Sequence, residues 1–352
     1  MNQAQKILSL LLVLAMAISL CACGSKTAQP SETTEATAAQ TEAVPETAAP
    51  ESTEASEALE LPRSSRFQVA DGKVTFKDQL DMEVTLSLDP QRVVLMDSNA
   101  VDVWYQCGGT AVGRTSISHP EAREKTEYTD AINAVTDLGR VYDPVNIEML
   151  ISLDPDLVML TPHFRTEQDT MAALEAAGIP YCNWSLPVDF DEFIECLELF
   201  TILTGRDDLY EKIAGENIAR KNAALEKVSG QEPVELMLLY PMKGEVYSMP
   251  NDTYRGAILD DLKAVNIGGE ERGTISPEAL LEKDPQWLLS FSGMGKEATE
   301  EALFAMPVWN QLTAVKEGRY SYLPLDLFYL HPGIRYGEAY EYAARLLYPD
   351  AF

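Results

Sequence analysis

The chain has 352 residues, 46% apolar and 24% charged, which suits one large or two medium-sized cores and excludes wholesale disorder, a collagen repeat and a multi-span membrane protein. Lys and Arg number 27 against 56 Asp and Glu, a net charge of -29, so nucleic acid and anionic membrane surfaces would repel it. Residues 1–66 contain no Phe, Tyr or Trp, and a stretch without rings has little with which to nucleate a core, so the folded part is expected to begin near Phe67.

At the N-terminus one cation, Lys6, precedes an apolar run from Ile7 to Leu20. At about 14 residues the run is too short to span a bilayer and right for a secretory signal. It ends in Leu20-Cys21-Ala22-Cys23-Gly24, with Leu three places before Cys23 and a small residue immediately before it. This resembles the lipobox of bacterial lipoproteins. The resemblance implies a signal over 1–22, lipidation of Cys23 and anchoring by acyl chains, at about 0.8 kcal/mol per buried methylene. Gly24 to Glu60 is Thr, Ala, Pro and Glu, with eight Glu against Lys26, so 23–62 reads as a self-repelling, disordered tether. Setting aside Lys6 and the tether's seven net negative charges leaves -23 on the body. Three cysteines follow, Cys107, Cys182 and Cys196, an odd number in no zinc-binding spacing, read as buried free thiols.

Beyond the tether, Phe67-Gln68-Val69 and Val74-Thr75-Phe76 flank Asp71-Gly72, a hairpin signal, and Met82, Val84 and Leu86 alternate after it, predicting a small antiparallel sheet. From Arg92 short apolar runs (Val93–Met96, Leu157–Leu160, Ile179–Trp184, Leu236–Tyr240, Trp287–Phe291, Tyr320–Leu323) alternate with helical stretches. That grammar predicts an α/β fold of parallel sheets with helices on their faces. Ala134, Val135, Gly139, Glu148, Leu150, Asp154 and Pro155 recur in order 130 positions later, as Ala264, Val265, Gly269, Glu278, Leu280, Asp284 and Pro285. Two copies are too few for a solenoid, so two similar lobes are expected. Between them, Leu209, Ile213, Ile218, Ala219, Leu225 and Val228 stripe one face of a helix over Asp207–Val228, with Gly205 and Gly230 outside its ends. The expected divisions are 63–205 for the first lobe, 206–229 for a linking helix and 230–352 for the second lobe.

Ordered blocks over residues 88–350 carry a family resemblance: Pro90-Gln91-Arg92-Val93-Val94, Asn146-Ile147-Glu148 through Asp154-Pro155-Asp156-Leu157-Val158, Gly178-Ile179-Pro180, the linking helix, Ile275-Ser276-Pro277-Glu278 through Asp284-Pro285, and Pro307-Val308-Trp309 through Gly318-Arg319. Together they resemble the helical-backbone class of periplasmic binding proteins, which deliver ferric siderophores, haem or cobalamin to ABC importers. The resemblance implies two Rossmann-like lobes joined by one long backbone helix. It also implies a monomer with no cofactor of its own, a metal chelate as cargo, and a membrane permease with its ATPase as partner. Glu148 and Glu278 match the apical acids that dock on permease arginines.

In such folds ligands sit past the carboxyl ends of the strands, between the lobes. The candidates are Ser98, Asn99, His163, Arg165 and Trp184 from the first lobe. From the second they are Tyr240, Lys243, Tyr247, Tyr254, Phe291, Tyr329, His331 and Arg335. Aromatic rings suit a bulky organic ligand, and cations in so acidic a body suit its carboxylates or phenolates. His163 and His331 are read as polar contacts before metal ligands; His119, followed by Pro120, is assigned to a surface loop. An enzyme is not expected: there is no Gly-x-Ser-x-Gly elbow, no His-Glu-x-x-His and no phosphate-cradling loop.

Overall fold

The computed structural model describes residues 61–352, apart from 121, 122, 124 and 163–166. The signal, Cys23 and the tether up to residue 60 lie outside the described residues, as do His163 and Arg165.

Strands β1 (Gln68–Ala70), β2 (Lys73–Lys77) and β3 (Glu83–Ser87) form the antiparallel sheet. Asp71 and Gly72 take φ of 51° and 70°, the left-handed pair that a tight two-residue turn requires, and Ala70 therefore pairs with Lys73. The turn after β2 reaches the first lobe. Buried Asp78 accepts from the Asn183 backbone N–H (3.0 Å) and from its side-chain amide (2.9 Å), and Gln79 exchanges bonds with Ser185. The small sheet thus braces one strand end of the larger one.

The first lobe contains β4 (Val93–Leu95), α1 (Ser98–Gln106), β5 (Gly113–Arg114), α2 (Thr129–Ala134), β6 (Thr136–Asp137), α3 (Ile147–Ser152), β7 (Leu157–Leu160), α4 (Glu167–Ala177) and β8 (Tyr181–Asn183). Its strands lie in the order β6-β5-β4-β7-β8, all parallel. Successive side chains of a strand face opposite ways. Val93, Leu95, Leu157 and Met159 accordingly enter the main core, while Val94, Val158 and Leu160 pack with Leu150 and Leu174 on the other face.

Helix α5 (Phe190–Thr204) ends at Gly205, whose left-handed conformation (φ 68°, ψ 22°) turns the chain into α6 (Asp207–Val228). At 1.5 Å per residue, α6 is about 33 Å long, the width of a small lobe. It has the bounds read from sequence, and the interior Gly215 does not break it.

The second lobe contains β9 (Val234–Met242), β10 (Glu245–Met249), α7 (Tyr254–Asp261), β11 (Ala264–Asn266), β12 (Gly273–Thr274), α8 (Pro277–Lys283), β13 (Trp287–Ser290), α9 (Lys296–Phe304), α10 (Thr313–Lys316), β14 (Tyr320–Tyr322), α11 (Leu325–Phe328) and α12 (Tyr336–Leu347). The sheet order is β12-β10-β9-β13-β14, with β11 also on β9. β11, β13 and β14 are parallel as expected, but β10 and β12 are antiparallel. The parallel core expected of the second sheet is extended by an antiparallel pair: Lys243-Gly244 makes a hairpin turn with positive φ at both residues, and the strand doubles back.

The 130-residue repeat has a backbone counterpart. Gly139 and Gly269 take φ of 96° and 121°, and Asp154 and Asp284 take 48° and 36° just before a proline. Asn146 and Ser276 each cap a short helix through a side-chain oxygen, and Glu148 and Glu278 are each its second residue, exposed. Because α3 and α8 return antiparallel to the strands that follow them, both glutamates stand at the carboxyl edges of their sheets.

Candidate ligand cleft

All five strands of the first sheet send the chain into one cavity of about 750 Å3. Asp97, Ser98 and Asn99 follow β4, Ser116 to His119 follow β5, Arg140 to Tyr142 follow β6, Thr161 follows β7, and Ser185 and Leu186 follow β8. A parallel sheet produces this convergence, since every strand delivers its last residue to the same edge. Tyr329 and Leu330 of the second lobe close the cavity from the other side.

The first-lobe wall is rich in hydroxyls and held by hidden bonds. Asp97 caps α1 by accepting from Asn99 N (2.9 Å) and ties the ends of β4 and β8 by accepting from Leu186 N (3.0 Å). Burial pushes its carboxyl up, against the pull of those bonds and of Arg123. Behind Ser116, buried Arg114 donates to Asp137 (3.0 Å), and Ser116 Oγ donates to the same carboxylate (2.7 Å). Burial works against the charge of Asp137, but Ser116, the Gly139 N–H and Arg114 together hold it below the usual carboxylate range. Arg123 clamps Asn99 Oδ1 (3.2 Å) and pairs with Asp102.

The second-lobe wall is aromatic. Tyr240 stacks with Phe291 (ring centroids 5.4 Å apart) and with Tyr329 (6.4 Å). Arg272 lies over Tyr240 and Tyr247, at 5.3 and 4.5 Å from the ring centroids. Burial, with Tyr240 adding to it, pushes the Tyr329 phenol up to about 12. Across the cavity His119 meets Tyr329 edge to face at 5.0 Å. A side chain at Gly293 would stand 2.7 Å from the Tyr329 hydroxyl and 3.0 Å from His119 Cε1, so only glycine leaves both rings in place.

Of the candidates, Ser98, Asn99 and Tyr329 line the cavity, and Tyr240 and buried Phe291 reach it only through the ring stack on Tyr329. Lys243 sits exposed at the β9–β10 turn, and Tyr247 lies on β10, its hydroxyl donating to Glu245 (2.7 Å). Four further candidates lie away from both the cavity and the ring stack. Trp184 is core, packed against Phe67 and Phe76 with Arg66 over its ring. Tyr254 is buried, its hydroxyl donating to Leu330 O (2.5 Å). His331 bonds through Nε2 to Pro187 O and through Nδ1 to Gly333 N, both at 3.0 Å, leaving no nitrogen for a metal. Arg335 lines a neighbouring cavity of about 340 Å3, held by Asp326 (2.6 Å) and by both oxygens of Glu338.

Sequence reasoning missed His119, Arg140, Tyr142, Arg255 and Arg272. The first three follow two-residue strands too short to show an apolar run; the arginines carry no motif. Among the described residues no carboxylate pairs with Arg140 or Arg272, and no cluster of three metal-ligating side chains occurs.

Residues 93–327 match the family model described as periplasmic binding protein. The chain belongs to that family. Similar proteins include an uncharacterised ABC transporter substrate-binding lipoprotein of Bacillus subtilis, 24% identical over 79% of this chain and 87% of its own length. The ferric-anguibactin-binding protein of Vibrio anguillarum is 23% identical over 70% of this chain and 79% of its own. Among solved structures, the catecholate-siderophore binding protein of Vibrio cholerae superposes with a TM-score of 0.62 at 18% identity, over 78% of this chain and 99% of its own. A periplasmic binding protein holds a small molecule between two α/β lobes, and this one is not an enzyme.

Proposed function

We propose that the chain is the extracellular, lipid-anchored substrate-binding protein of an ABC importer, capturing a ferric siderophore and delivering it to the membrane permease. The observation that carries this reading is the pairing of a hydroxyl-rich wall with an aromatic wall, with Arg140 lining the cavity and Arg272 over Tyr240, neither paired with a carboxylate among the described residues, in a body of large negative charge. A bulky chelate with phenolate or carboxylate arms meets hydrogen-bond donors on one side, rings on the other and cations at the rim. The lipobox ending at Cys23 supports the anchor, and the relatives' names support the importer and the cargo class. Glu148 and Glu278, matched in backbone and exposed at the sheet edges, are the proposed docking acids.

Trp104, Trp184 and Trp309 are buried away from the cavity, so calorimetry reports binding better than their fluorescence. Titration with a panel of ferric siderophores, haem, cobalamin and free divalent metals should give a siderophore the highest affinity; a tighter complex with any of the others overturns the assignment. His119 facing Tyr329 favours haem as the second reading, since imidazole and phenolate both ligate ferric haem. A Soret band that shifts on replacing Tyr329 would establish it.

A further inference from the structure

Arg255 stands in the first turn of α7, directly behind the aromatic wall. Its guanidinium lies 4.4 Å from the Phe291 ring centroid and 4.7 Å from that of Tyr254. Nη1 donates to the carbonyl of Phe328 (2.7 Å), to that of Tyr329 (3.4 Å) and to the Tyr254 hydroxyl (3.0 Å). Tyr254 passes the restraint on to Leu330 O. Three consecutive carbonyls, those of Phe328, Tyr329 and Leu330, are thus fixed by one cation and the phenol it touches. This is the segment that presents Tyr329 and Leu330 to the cavity.

Among the described residues no carboxylate pairs with Arg255, α7 has no acid in its first turn, and the buried Nε has no hydrogen-bond partner. A guanidinium against the faces of rings, at the positive end of a helix, in a body rich in spare carboxylates, is costly unless something negative approaches. Arg272 over Tyr240, with no carboxylate partner among the described residues, adds positive charge to the same wall.

We propose that Arg255 is the positioning residue of the cleft, holding Tyr329 in place and biasing the aromatic wall towards an anionic chelate over a neutral one. The inference rests on the reading of the site as a chelate-binding cleft. Arg255 does not line the cavity; it acts through the carbonyls it holds and through its field.

The test compares wild type, R255K and R255M by calorimetry with two probes, an anionic ferric tris-catecholate and a neutral ferric tris-hydroxamate. Hydrogen exchange over residues 325–335 is followed without ligand. R255M is expected to cost the tris-catecholate about tenfold more than the tris-hydroxamate, the scale of one charge-assisted interaction, while R255K retains most of the preference. Exchange should quicken in R255M and less so in R255K. Equal losses for the two probes in R255M would overturn the charge bias, and unchanged exchange would overturn the positioning. Wild type binding neither probe would overturn the siderophore reading, with the exchange result still deciding the positioning.

Discussion

Both ring nitrogens of His331 are used inside the protein, so the imidazole works as a strut between the lobes, bonded to Pro187 and packed among Phe193, Tyr254 and Tyr336. Burial lowers its pKa to about 4, with Arg255 nearby assisting and the Pro187 carbonyl opposing. A folded value below the ordinary 6.5 means the folded state takes up its proton later than the unfolded one. Its contribution is complete above about pH 6.5 and is lost as pH falls towards 4, on the order of 3 kcal/mol at about 1.4 kcal/mol per unit. Wild type should lose more urea stability between pH 7 and 4.5 than a His331→Gln variant, which takes up no proton there; equal losses would refute the account. The same residue shows where sequence stops informing. Position after a strand drew attention to Ser98, Asn99 and Tyr329, which line the cavity, but whether a ring at such a place faces a cavity or a core depends on partners more than a hundred residues away. Trp184 and Tyr254 look like ligand contacts in sequence and are core; His119 looks like surface and lines the cleft.

Among the elements, α6 was legible because a helix with one apolar stripe writes its period into the chain; the antiparallel β10 and β12 were not. Pro241 suggests a stop, yet β9 runs on to Met242 because it has outrun β13, which ends opposite Leu239, and Pro241 needs a partner strand on one side only. The contact that joins the lobes through α6 is equally hidden in sequence. Asn217 donates to Ile334 O (2.8 Å) and accepts from Gly337 N (2.7 Å), and a side chain at Gly337 would stand 2.7 Å from Asn217 O and 2.9 Å from its Cα. Backbone on both sides leaves no room to yield. Gly337→Ala is expected to cost about 1–3 kcal/mol through overpacking, and Asn217→Ala a similar amount through buried groups left unpaired. Urea midpoints measure both, and because the two residues share one contact the double variant should cost less than the sum. Strict additivity would show that they act separately.

At the scale of the whole molecule the proposed function makes the repeat a recognition device. Two lobes of different sheet order still present the same turn, the same capped helix and the same exposed glutamate. A helix N-terminus favours a carboxylate, which is reason enough for one glutamate, worth a few tenths of a kcal/mol. It does not explain why both stay uncovered at matching places. A partner with paired cations, such as the two membrane subunits of an importer, would engage both at once, and linking two weak contacts multiplies their strength. Either single replacement, Glu148→Ala or Glu278→Ala, is therefore expected to weaken delivery partly and the double replacement to abolish it. Affinity for the ferric chelate should stay within about twofold, because neither residue lines the cavity. Uptake of labelled chelate by cells carrying each variant reads the first effect, and calorimetry on the purified protein reads the second. Charge reversal at both positions should be at least as damaging as removal, and the single variants should grow more sensitive to salt. Normal uptake by the double variant would reduce both glutamates to helix stabilisers and leave the permease to find some other face of the protein.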